Sequence, residues 1–70
     1  MKHDFYKHID VTGTSHVSAE QAIRHAIERA GATIREIQSF EVLNMRGDVS
    51  GNSVTQWHVS LRISFAVEVG

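Results

Sequence analysis

Hydrophobic residues in this chain follow two rhythms, and the change from one to the other marks its elements. From about Phe5 to Val11 the period is two. Phe5, Ile9 and Val11 share one face, Tyr6, His8, Asp10 and Thr12 share the other, and Lys7 interrupts the apolar side. Such alternation with β-branched residues predicts a strand, which Gly13, Thr14 and Ser15 are expected to break. The rhythm then turns helical. Ala19, Ala22, Ile23, Ala26, Ile27, Ala30 and Ile34 recur three and four apart and draw one apolar stripe. Glu20, Gln21, Arg24, His25, Glu28 and Arg29 fill the opposite side, with Glu20 and Arg24 in the favourable i,i+4 order. Ser18 followed by Gln21 fits a capping box, the hydroxyl accepting an early backbone N–H and the amide reaching back. Gly31 and Thr33 weaken the far end, so the helix should stop near there.

Period two returns after the helix. A second strand is expected over Ser39 to Arg46, and a connection over Gly47 to Ser53 with Gly51-Asn52 at its tip. The third strand is the clearest signal. Thr55, Trp57, Val59, Leu61, Ile63, Phe65 and Val67 lie on one face, against Gln56, His58, Ser60, Arg62, Ser64, Ala66 and Glu68 on the other. It is far longer than the usual strand of about five or six residues. Strand, helix, strand requires a crossover, which sets the first two strands parallel. The hairpin sets the third antiparallel to the second. With the third strand in the middle every pairing is antiparallel, which gives an α+β fold of βαββ order with one helix on a three-stranded sheet. Trp57 then falls on the apolar side beneath the helix.

Length turns this pattern into an argument about assembly. A single domain spanning 1–70 buries only about 60% of its unfolded surface and is marginal alone. The chain has no cysteine, which removes disulfides and thiolate metal sites. Oligomerisation is the leading remedy, with histidine-bound metal a distant second, and one short helix cannot cover so long a strand. Seven Lys+Arg against eight Asp+Glu, a formal net charge of −1, give no footprint for nucleic acid or an anionic membrane. No apolar run approaches the length of a spanning helix, so a soluble, cytoplasmic protein is expected.

The sequence also resembles the dodecin family. Its matching pieces are Tyr6-Lys7, Val11-Thr12-Gly13-Thr14-Ser15, Ala22-Ile23, Ala26-Ile27-Glu28-Arg29-Ala30, Phe40-Glu41-Val42, Met45-Arg46-Gly47 and Val59-Ser60-Leu61, in family order and at family spacing. The resemblance implies a hollow homododecamer that binds flavin, as riboflavin or FMN, at subunit contacts. The role it implies is storage and protection of the flavin, not turnover, and some bacterial relatives bind coenzyme A. It implies three site positions. Ser39 stands where the family has its flavin-stacking tryptophan, and His58 stands where a glutamine bonds the ring edge. Arg46 keeps a position that approaches a flavin phosphate, while Ala66 replaces a bacterial arginine. A particle with a decayed flavin pocket that binds coenzyme A, an ion or nothing is the alternative.

Other polar residues suggest less. His8, Asp10 and His58 would suit a divalent ion if strand register brought them together; the default for them is solvation or pairing at an interface. His3, His16 and His25 are scattered, and Arg24, Glu28, Arg29, Arg35 and Glu36 read as a solvated or intersubunit face. Arg46 has Glu41 and Asp48 as alternative ion-pair partners. There is no nucleophile with a base, no glycine-rich phosphate loop and no carboxylate pair with a reason to titrate apart, which points away from catalysis.

Overall fold

A computed structural model describes residues 5–67, so His3 and Glu68 lie outside the described residues. The elements are β1 (Tyr6–Ser15), α1 (Ala19–Gly31), β2 (Ile37–Ser50) and β3 (Ser53–Ala66). All pairings are antiparallel and the strand order is β1-β3-β2, with β3 central as expected. Val59, Leu61 and Ile63 on β3 are fully buried beneath Ala22, Ala26 and Ala30 of α1. Ile9, Val11, Ile23, Ile27, Ile34 and Trp57 pack around this cluster, which puts the tryptophan under the helix.

β1 and β2 exceed their expected lengths, for different reasons. Gly13 does not break β1; it stays in register opposite Val59, and its bare backbone admits the helix. A Cβ there would overlap the carbonyl oxygen of Ala22 and sit 2.9 Å from the Cβ of Ala26. Gly47 to Ser50 also remain in the ladder, leaving the tight turn at Gly51 and Asn52. Both turn residues have positive φ, 61° and 87°, the signature of a type I′ turn whose twist suits two paired strands. At its other end β2 is entered through Glu36, at φ 61°, whose carbonyl accepts from the Ala66 N–H at 3.0 Å.

The cap also differs in part. Ser18 Oγ accepts from the Gln21 N–H at 3.0 Å, as the motif requires. The Gln21 amide does not reach back to Ser18; its Oε1 accepts from the buried Ser15 hydroxyl at 2.7 Å, and Ser15 Oγ in turn accepts from Val17 and Ser18 N–H groups. The end of β1 is thereby tied to the start of α1. Ile34 lies beyond the helix yet still packs on the core.

The helix is too short for the sheet. Thirteen residues of α1 span about 20 Å, whereas fourteen residues of β3 span about 46 Å. The subunit is accordingly drawn out to 54 × 20 × 15 Å. Helix α1 packs on β1 and β3. On β2 the side chains of Phe40, Val42, Met45 and Val49 stay 43–67% exposed. Among the described residues no helix is long and apolar enough to cross a membrane.

Candidate functional site on the open sheet face

The side of the sheet away from the helix carries polar residues almost throughout. Cross-strand partners share a face and lie about 5 Å apart. Registers of Asp10 with Arg62 and Glu41, Thr12 with Ser60 and Asn44, and Thr14 with His58 and Arg46 therefore build polar rows across all three strands. Arg62 makes a forked contact with Asp10, Nε to Oδ1 at 3.0 Å and Nη2 to Oδ2 at 3.2 Å. This hydrogen bond, reinforced by the guanidinium charge against partial desolvation, holds the Asp10 carboxyl below its ordinary range and pushes Arg62 up. Thr12 and Ser60 hydroxyls meet at 3.0 Å.

Near the hairpin, Arg46 and His58 face each other as register partners. Asp48 joins them from two residues further along β2. Its Oδ2 lies 2.9 Å from His58 Nε2 and its Oδ1 lies 3.5 Å from Arg46 Nη1, so one carboxylate spans two nitrogen groups. The His58 bond, with the charges of His58 and then Arg46 behind it, lowers the Asp48 carboxyl although burial opposes this. The His58 side chain is 17% exposed, against 64% for Arg46, so the ring is fixed while the guanidinium remains reachable.

Two register shifts create this cluster, one between Val42 and Asn44 and one between Asp48 and Val49. At the tip Ser50 pairs with Ser53 and Val49 with Val54; continued unbroken, that register would set Arg46 opposite Trp57. The register shifts by one between Val49 and Asp48, skipping Thr55. The skipped residue is secured by its own bonds: Thr55 Oγ1 donates to the Asp48 carbonyl at 3.2 Å, and the Thr55 carbonyl accepts from His16 Nδ1 at 3.0 Å. Such an insertion turns side chains over. Together with the matching shift past Leu43, between Val42 and Asn44, it puts Arg46 and Asp48 on the side of His58.

Of the three positions singled out from sequence, two come together and one does not. Ser39 is exposed on the same face but pairs with Ser64, six residues and about 20 Å along β3 from His58. Asp48 entered only as an ion-pair partner for Arg46; its larger role, holding His58, could have been suspected from its i,i+2 spacing to Arg46. Asp10 and His58 are separated along β3 by the four-residue interval from Arg62 to His58, about 13 Å. No cluster of three or more metal-donor side chains forms among the described residues. His16 and His25 act as struts, the latter donating from Nδ1 to the Thr14 carbonyl at 3.2 Å.

These residues fit parts of a flavin. Arg46 offers a reachable guanidinium for a phosphate, and His58 offers a ring nitrogen for a heterocycle edge. The stacking part is poorly served within one subunit. The β2 and β3 positions on this face carry no aromatic ring except His58, and Tyr6 lies at the far end of β1 opposite Ala66.

Fold and site together define a class: small βαββ subunits in which one helix covers part of a long antiparallel sheet and the other face is polar. The sequence model named Dodecin matches residues 5–68. The dodecin of Thermus thermophilus is 36% identical over 63 residues, covering 90% of this chain and 91% of its own. The calcium dodecin of Mycobacterium tuberculosis is 33% identical over 60 residues, covering 86% and 84%. Among solved structures, dodecin from Streptomyces coelicolor superposes with a TM-score of 0.86 at 36% identity, over 94% of each chain. The Mycobacterium tuberculosis calcium dodecin, described with a novel calcium-binding site, gives 0.78 at 30% identity over 93% of each chain. The chain belongs to the dodecin family.

Proposed function

We propose that this protein is a single-domain subunit, over 1–70, of a closed homododecameric shell that sequesters a small ligand at its subunit seams in the cytoplasm, without turning it over. The observation that carries this reading is the apolar side of β2, where Phe40, Val42, Met45 and Val49 stay exposed while α1 packs on β1 and β3. Exposed apolar surface of this kind marks an association site, and copies of the same chain are the partners that family membership favours. The ligand class is a flavin, riboflavin or FMN. Arg46 takes the phosphate and His58 the ring edge, while Ser39 leaves the stacking position without an aromatic plane. Light scattering should give twelve times the subunit mass, and the particle should quench added riboflavin or FMN. A monomeric mass at low protein concentration would overturn the shell.

The absence of an aromatic plane at Ser39 also favours a second reading: a particle with weak flavin affinity whose ligand is coenzyme A or an ion. Ser39→Trp separates the two. A restored indole adds about 0.5–1.5 kcal/mol beyond its buried area, which makes the gain more than about tenfold in affinity once the area is included. That gain in a quenching titration supports an otherwise intact flavin pocket. Unchanged affinity would sink the flavin reading and leave the second.

A further inference from the structure

What a histidine offers a ligand depends on which ring nitrogen holds the proton, and Asp48 bears on that choice. An ionised carboxylate only accepts hydrogen bonds. Asp48 Oδ2 lies 2.9 Å from Nε2 of His58, so in a neutral ring Nε2 must be the donor and Nδ1 must carry the lone pair. The carboxylate is secured in its ionised form, because the His58 hydrogen bond and the Arg46 charge both favour it. Nothing else around the ring favours the opposite tautomer. Arg46, directly across β2, is a donor and cannot accept from an Nδ1–H; Thr14, across β1, is a hydroxyl that serves either form. No hydrogen bond to Nδ1 forms among the described residues.

We propose that Asp48 is a positioning residue that locks neutral His58 in its Nε2–H tautomer, so that the site presents an acceptor, Nδ1, to its ligand. The inference rests on the reading that His58 meets the ligand. It narrows the ligand class to planar molecules with an N–H donor on the bound edge, of the imide or lactam kind; the N3–H of a flavin is one. A glutamine in the same place would offer a donor and an acceptor on one amide and discriminate less. Here a ligand whose edge has acceptors alone would set lone pair against lone pair. Arg46 Nη1 lies 3.5 Å from the other carboxylate oxygen of Asp48 and adds its charge on that side.

The test uses the assembled protein labelled with 15N-histidine, free of ligand, observed by long-range proton–nitrogen correlation above the titration of the ring. The expected spectrum for His58 is the Nε2–H form. In Asp48→Ala the tautomer ratio should shift by at least about tenfold towards the other form, and Asp48→Glu should restore it. An Nδ1–H ring in the parent, or an unchanged ratio in Asp48→Ala, would overturn the assignment. Asp48→Asn, whose amide can donate, serves as a second variant of nearly the same shape. Riboflavin and 3-methylriboflavin then probe the ligand side. Blocking N3–H should weaken binding to the parent by about tenfold, the worth of one hydrogen bond, and weaken binding to Asp48→Ala much less. Equal binding of both to the parent would overturn the acceptor role. If neither flavin binds, the flavin reading fails, while the spectra still decide what Asp48 does.

Discussion

Gly13 shows how far a single residue can set the packing of this subunit. Its missing side chain lets the carbonyl of Ala22 and the methyl of Ala26 close on β1, and a backbone oxygen cannot move aside as a flexible side chain would. Gly13→Ala should therefore destabilise at the top of the overpacking range, about 3 kcal/mol, read as a fall in the urea midpoint. A loss under about 0.5 kcal/mol would mean that the helix is not seated this closely. The aspartates on the open face make a different prediction. Both Asp10 and Asp48 titrate lower when folded, chiefly through hydrogen bonds from Arg62 and His58. An unfolded aspartate titrates near about 3.9. Their stabilisation is thus complete above that value and is lost as pH falls through the lower folded values. Parent and Asp10→Asn should differ in urea midpoint at neutral pH and converge as pH falls through the lowered folded-state titration of Asp10; a gap of constant size would refute the linkage.

At the scale of elements, the hairpin joining β2 and β3 depends on two left-handed residues. Gly51 takes that conformation freely, and Asn52, at φ 87°, tolerates it better than most side chains. Asn52→Ala should cost about 1 kcal/mol, whereas Asn52→Gly should stay near the parent, both by chemical denaturation. If the alanine variant is as stable as the parent, the turn has another geometry. Helix α1 was legible because its stripe, its Ser18 cap and its terminal glycine lie within a few turns of chain. The strand ends were less legible. Whether Gly13 or Gly47 ends a strand depends on a partner strand more than forty residues or about ten residues away, and local composition carries no record of it. The same holds for Gln21, whose partner Ser15 sits in the preceding strand.

For the whole molecule the governing mismatch is between a short helix and a long sheet. The apolar row of Phe40, Val42, Met45 and Val49 stays exposed within the subunit. Phe40, which also lines a cleft of about 400 Å³ beside Ile23 and Ile27, is the natural point of attack. Phe40→Asp should lower the particle mass in light scattering, and dilution should then remove folded signal, because assembly stabilises the fold by mass action. An undiminished mass would place the contact elsewhere.

The sequence by itself determined the order of elements, the central place of β3, the packing of Trp57 against the core and the excess of sheet over covering helix. Each of these follows from periodicity, turn residues and the ratio of covering to covered length. Tertiary structure alone decided the site. Two register shifts, past Leu43 on β2 and past Thr55 on β3, bracket Asn44 to Asp48 and put Arg46 and Asp48 on the side of His58. A bulge is selected by bonds from distant residues such as His16 and by the fit of two strands, so no rhythm in the chain announces it. Without those shifts Arg46 would lie opposite Trp57; with them, Asp48 reaches His58.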